Sequence, residues 1–300
     1  MLYLTQENAE DLNFIKQILN KNGFSKMKNI IPLKSGSRSV AYYADDYIVR
    51  FPKAEIIWQT MKREKNIIDM ISPHLTPTFA NKIHKIDLIE NEYPFSISER
   101  FIGKICDGRP ESEYAMLYQN LTPIQQEKLA YNLALFFHKL HQIDYKKLNI
   151  PEPMEAIDNW DVTTENNFDF EQVQKILSLY KININDYMIK SPNMAIALCH
   201  NDLSGSNILL NPEKEDVLVG IIDFGNAMIM PKYQDFFPLY KIQRKLAIDT
   251  LKEYNKLTSS PIEQKQIDCM TLLYTGWGLV RTQNQSSPYF MKLLKPFLEE

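Results

Sequence analysis

Two short segments of this chain carry side chains whose types and spacing can do chemistry. The first is Cys199-His200-Asn201-Asp202-Leu203-Ser204-Gly205-Ser206-Asn207, a polar loop held between the apolar runs 194–198 and 208–210. The second is Val219-Gly220-Ile221-Ile222-Asp223-Phe224-Gly225, an aliphatic strand ending in a carboxylate and a glycine turn. Asp202 and Asn207 stand five positions apart across a small Ser-Gly-Ser stretch, and Asp223 follows Asn207 by sixteen. Singly, each piece reads as a surface turn or a capped strand end, because Asn, Asp, Ser and Gly are turn formers. Together they meet one specific need. Moving a phosphoryl group from a nucleotide requires a carboxylate at the accepting hydroxyl and hard oxygen ligands holding Mg²⁺ against the phosphates. A loop of this length can offer Asp202 to a substrate while Asn207 turns toward a metal, with Asp223 as second ligand.

The elements that must position these groups divide the chain near Gly103-Lys104. Residues 1–103 read as a small sheet-rich part. The β-branched and aromatic runs 40–44 and 47–51, joined by Asp45-Asp46, predict a hairpin. Ile57 to Ile71 has helical spacing and is stopped by Pro73, and Pro94 to Ile102 reads as a further strand. One helix is expected in this part. Residues 104–300 read as mainly helical, with amphipathic spacing over Gln125–His141 (Leu129, Leu133, Phe136, Phe137 and Leu140). Leu177–Tyr187, Gln243–Leu257 and Glu263–Leu279 also favour helix, around an island of short strands from Ala195 to Met230. The expected fold is therefore α+β and bilobal, an antiparallel sheet lobe followed by a helical lobe.

Composition narrows the class. Lys plus Arg is 34 and Asp plus Glu 37, a net charge of −3, which gives no reason to expect nucleic acid or an anionic membrane as partner. Three cysteines, Cys106, Cys199 and Cys269, are widely spaced and include no CxxC pair, which fits a reducing cytoplasm. No secretory leader and no run of roughly 18 apolar residues is read in the chain.

The string His200-x-Asp202-x4-Asn207 followed by Ile221-Ile222-Asp223-Phe224-Gly225 resembles the aminoglycoside phosphotransferase and choline-kinase-like superfamily, small-molecule kinases of protein-kinase-like fold. It looks most like the aminoglycoside 2''-phosphotransferase branch. The helix Leu129 to His141, the strand Tyr47 to Lys53 and the pair Asp235-Phe236 are similar to that family's corresponding segments. The resemblance implies ATP or GTP as phosphoryl donor, Mg²⁺ as cofactor and a nucleotide between two lobes. It makes Asp202 the catalytic base, Asn207 and Asp223 the Mg²⁺ ligands, and Asp235 a loop brace. Ser35, Gly36, Ser37, Arg38 and Ser39 fall at its nucleotide loop, and Glu99 and Phe101 at the lobe junction that meets the purine. Arg50 stands where many relatives have lysine, and Glu64 fourteen residues on is its expected ion-pair partner. Lys53, on the opposite strand face by two-residue alternation, is the other candidate for the phosphate-binding cation.

The acceptor implied is the hydroxyl of an aminoglycoside, acted on by a monomer. Alternatives are a metabolic kinase for choline, ethanolamine or a sugar, and a non-catalytic nucleotide-binding kinase-fold module. Asn226 departs from the D-F-G-D of many relatives, and residues 271–298 hold Arg281, Lys292 and Lys295 but no Asp or Glu. Carboxylates for a polycation would come from Asp158, Asp161, Glu165 or Asp169. A rival metal reading gathers Cys199, His200, His138 and His141 around zinc, without a recognised ligand spacing.

Overall fold

The computed structural model describes residues 1–33, 39–75, 79, 85–106, 117–147, 169–188, 195–283 and 287–298. The chain forms two compact units, one of Met1–Ile102 with Gly220–Asn226, the other of Gly103–Val219 with Ala227–Glu300.

In the first unit, α1 (Gln6–Glu10) and α2 (Leu12–Lys21) precede β1 (Ile30–Pro32), β2 (Ser39–Ala44) and β3 (Tyr47–Pro52). Helix α3 (Glu55–Ile71) follows, then β4 (Ile86–Ile89) and β5 (Phe95–Glu99). The strands form one five-stranded antiparallel sheet in the order β1-β2-β3-β5-β4. Asp45 closes the β2–β3 hairpin at φ 52°, and its carboxylate accepts from the backbone N–H groups of Lys28 and Asn29, which lowers its pKa. Alternation along β3 sends Val49 and Phe51 into the core and Arg50 to the other face.

Two expectations for this unit are corrected. Among the described residues it holds three α-helices, not one. Asp11 caps α2 by accepting from the N–H groups of Asn13 and Phe14, and Ile15, Ile18 and Leu19 at helical spacing bury its inner face. A cap of this kind is worth about 1 kcal/mol. The strand expected over Pro94–Ile102 ends at Glu99, because its neighbour β3 begins at Tyr47, the register partner of Glu99, and beyond that pair only the Arg100 N–H reaches back, to the Asp46 carbonyl in the hairpin turn at 2.8 Å.

The second unit contains β6 (Lys104–Ile105), α4 (Pro123–His141), α5 (Phe170–Ser178), β7 (Ile196–Cys199) and β8 (Ile208–Leu210). The chain passes between units within β9 (Leu218–Ile221), and β10 (Met228–Pro231) resumes the second. Helices α6 (Phe236–Ile242), α7 (Arg244–Leu257), α8 (Gln264–Thr282) and α9 (Pro288–Leu298) complete it. β7 pairs antiparallel with β10, and β6 with β8. Helix α4 starts from a capping box of Thr122 and Gln125, and packs on α7. It fully buries Leu129, Leu133, Phe136, Phe137 and Leu140. Each such side chain contributes about 1.5–3 kcal/mol, so this helix is a fixed wall for what stands on it. The helix expected over Leu177–Tyr187 instead spans Phe170–Ser178. Asp169 caps its start by accepting from the Gln172 N–H, and Lys181 breaks the continuation at φ 62°. Among the described residues no helix is long and apolar enough to cross a membrane.

Candidate active site

In the second unit, β7 ends at Cys199 and the chain turns sharply. Asn201 takes φ 64°, a left-handed conformation that asparagine adopts more readily than most residues. The turn rests on Asp235, a fully buried carboxylate just before α6. Asp235 accepts from the backbone N–H of His200 at 3.1 Å and of Asn201 at 2.8 Å. It also meets His141 Nε2 at 3.1 Å, while His141 Nδ1 lies 2.9 Å from the Tyr254 hydroxyl. A carboxylate only accepts, so Nε2 carries the proton, and in the neutral ring Nδ1 accepts from Tyr254. Burial raises the Tyr254 phenol pKa, which keeps it a donor. The backbone that precedes Asp202 is thus tied through Asp235 to helices α4 and α7.

Beyond it, the Asp202 carbonyl accepts from the Ser204 N–H at 2.7 Å and from Asn207 Nδ2 at 2.7 Å, while its own N–H meets His200 Nδ1 at 3.4 Å. The donor end of the Asn207 amide is therefore committed, and its Oδ1 accepts from Ser206 Oγ at 3.3 Å. Asn207 is buried and Asp202 partly exposed. The loop is folded by its own short-range hydrogen bonds and held from beneath by one carboxylate.

The first unit holds the remaining groups. Asp223 stands at φ 65°, a left-handed conformation that aspartate, like asparagine, adopts more readily than most residues. The 224–226 turn packs on α3, where a Cβ at Gly225 would come within 3.3 Å of Asp223 Oδ1 and 3.4 Å of Thr60 Cγ2. Glycine is required at 220 for a plainer reason. A Cβ there would lie 2.4 Å from the Phe101 ring, so Phe101 is seated on the strand that leads to Asp223. Arg50 pairs with Glu64 at 2.7 Å, and its Nε reaches Ser96 Oγ at 3.4 Å. The Glu64 side chain is 3% exposed and that of Arg50 23%. The neighbouring cations of α3 turn outward, Lys62 to Glu90 and Lys65 to Asp69. Glu64 thus faces the sheet, not its own helix surface. Lys53 lies beyond the end of β3 and is exposed. Glu99 is exposed at the end of β5, and Ser39 opens β2. Lys34, Ser35, Gly36, Ser37 and Arg38 lie outside the described residues, as do Asp158, Asp161 and Glu165.

Residues 29–259 match the model of the phosphotransferase enzyme family, more than half of the chain. The chain belongs to that family. Solved structures share its fold. A GDP complex of aminoglycoside 2'-phosphotransferase-IIIa is 19% identical with a TM-score of 0.66, covering 97% of each chain. An ADP-bound aminoglycoside phosphotransferase APH(2'')-Ib is 18% identical with a TM-score of 0.60, covering 96% of this chain and 97% of that one. The macrolide 2'-phosphotransferase MphH from Brachybacterium faecium is 12% identical with a TM-score of 0.62, covering 95% and 98%.

Three residues of this phosphotransferase bear on the loop in ways that sequence reasoning misses: His141, read as a helix residue and as a rival zinc ligand, Tyr254, read only as a helix residue, and Lys241 on α6. No local pattern marks them, because they reach the loop from helices distant in sequence. The rival zinc set is not assembled. His138 Nε2 accepts from the Gln142 amide, and His200 Nδ1 faces the Asp202 N–H. Ligand atoms of His141, Cys199 and Asp235 do lie within 4.8 Å of one another, but the hydrogen bonds above account for the first and last. Burial raises the Cys199 thiol well above its usual pKa, and it donates to the backbone carbonyls of Met230 and Pro231.

Proposed function

We propose that this phosphotransferase moves the γ-phosphoryl group of ATP or GTP to a hydroxyl of a small, antibiotic-like acceptor. The relatives named above make aminoglycosides and macrolides the two candidate classes. One observation carries the reading: the buried Asp235 carboxylate fixes the backbone behind Asp202, a cost in polar burial that a surface turn has no need to meet.

Asp202 orients the acceptor hydroxyl and takes its proton. Asn207 Oδ1 and the Asp223 carboxylate are hard oxygen donors of the kind Mg²⁺ prefers, and the tied Asn207 amide nitrogen leaves oxygen as its available ligand atom. Bound there, Mg²⁺ would neutralise phosphate charge. Arg50, steadied by Glu64, is the phosphate-binding cation, since a guanidinium can serve carboxylate and phosphate through separate N–H groups. Ser35, Gly36, Ser37, Arg38 and Ser39 form the phosphate loop, and Glu99 and Phe101 line the purine. In this reading residues 1–103 are the nucleotide lobe and 104–300 the catalytic and acceptor lobe of a cytoplasmic monomer. Its three cysteines, all buried and none in a disulfide, suit a reducing compartment.

A coupled nucleotide-consumption assay tests this, run with ATP and GTP against aminoglycosides, macrolides, choline, ethanolamine and sugars. Consumption stimulated by an antibiotic acceptor is expected. Stimulation by choline, ethanolamine or a sugar alone would make the protein a metabolic kinase. Nucleotide binding with no stimulated consumption would make it a non-catalytic module.

A further inference from the structure

Helix α6 follows Asp235 directly and packs against the 205–207 turn of the Asp202 loop. Phe237 and Lys241 are four residues apart on it and so share a face. The Lys241 ammonium lies 5.1 Å from the Phe237 ring centroid and 5.2 Å from that of Tyr274 on α8. Those two rings meet edge to face with centroids 5.1 Å apart. Among the described residues Lys241 has no carboxylate within ion-pair distance. Burial lowers its pKa and the charge of Asp202 acts the other way, so the two groups are within electrostatic reach.

The same character continues along α8. Tyr274 neighbours Trp277 at 6.4 Å between centroids, and the Arg281 guanidinium sits 5.1 Å over the Trp277 ring. Residues 271–298 contain no Asp or Glu. The pull of the ring faces offsets the desolvation of the Lys241 ammonium only in part and leaves its N–H donors for a ligand.

We propose that Lys241 is a specificity-determining residue that receives an anionic or uncharged oxygen group of the acceptor and turns polycationic acceptors away. The inference deepens the functional reading above and rests on it in one respect, that the acceptor binds beside Asp202. It narrows the acceptor from any antibiotic-like hydroxyl compound to one of low positive charge. The physical reason is the like-charge cost: an acceptor amine brought against a partly desolvated ammonium loses its hydration and meets repulsion, each working against binding.

The test uses kanamycin as a polycationic probe and calorimetry on the full chain, wild type against Lys241→Arg, Lys241→Met and Lys241→Glu. Wild type and Lys241→Arg are expected to bind weakly and alike. Lys241→Met should bind at least about threefold more tightly and Lys241→Glu at least about tenfold, one factor of ten being about 1.4 kcal/mol. Lys241→Met keeps an apolar stem against the rings, so it carries the test if the glutamate disturbs folding. Affinity within threefold of wild type in both the Met and Glu variants overturns the proposal, as does undetectable binding in all four proteins. Calorimetry needs no turnover, so this failure is distinct from failure of the Asp202 reading, which would appear as normal turnover in Asp202→Asn.

Discussion

Two charged groups flank the Asp202 loop, and they are treated in opposite ways. Beneath it, the Asp235 carboxylate is fully buried and meets two backbone N–H groups and an imidazole, all within 3.1 Å. Beside it, the Lys241 ammonium meets two ring faces and no carboxylate among the described residues. A saturated charge has nothing left to give a ligand and acts as structure, fixing the backbone that must not move. A charge resting only on π faces keeps its hydrogen-bonding capacity and acts on whatever enters. The difference separates positioning from recognition within one loop's surroundings.

The largest expected effect is at the group the bed exists to hold. Asp202→Asn should lower kcat by roughly 10²–10⁴-fold, the usual scale for a general base, with nucleotide KM little changed. Near-normal turnover would remove Asp202 from the chemistry and leave the bed without its purpose. Next comes the bed itself. Asp235→Ala leaves two backbone donors and His141 unsatisfied in a buried setting, so denaturant unfolding should show a loss of about 3–5 kcal/mol. A loss under about 1 kcal/mol would mean that the saturated charge is dispensable.

The Arg50–Glu64 pair stands between these extremes, with its carboxylate buried and its guanidinium still partly exposed. Arg50→Ala and Glu64→Ala should each reduce kcat/KM, and the double variant should lose less than the sum, by a coupling of about 0.5–3 kcal/mol. Strict additivity would dissolve the pair as a unit. If Lys53→Ala proves damaging while Arg50→Ala is mild, Lys53 is the phosphate-binding cation. The smallest effect is at the far end of the network. Tyr254→Phe removes one hydrogen bond to His141 without changing the ring, and should cost about 1 kcal/mol in unfolding free energy. A cost near zero would end the network at His141.

What could be read in the sequence was whatever depends on neighbours a few positions apart. The Asp45-Asp46 hairpin, the α4 stripe and the spacing of Asp202, Asn207 and Asp223 are of this kind, since turn chemistry, helical period and loop length act locally. The Arg50–Glu64 pair was legible only through family resemblance, but strand alternation put Arg50 on the right face. Helix α2 was readable from Asp11 and the Ile15, Ile18, Leu19 spacing and was passed over. The shift of α5 to Phe170–Ser178 hung on a cap and on the left-handed Lys181, signals weaker than apolar periodicity.

Tertiary structure decided the rest, because a buried polar group takes its meaning from partners that the fold brings from elsewhere. Nothing around His141 or Tyr254 in the chain marks them as supports of a loop near residue 200; the hydrogen bonds of His141 to Asp235 and to Tyr254 span 94 and 113 positions. Nothing local marks Lys241, because its place beside the Phe237 and Tyr274 rings exists only once α6 and α8 have met. The sequence alone determined which candidate groups for phosphoryl transfer the chain carries and how far apart along it they stand. Folding alone determined which charges are spent on holding them and which one is left to meet the acceptor, since desolvation and hydrogen-bond saturation exist only once distant segments have met.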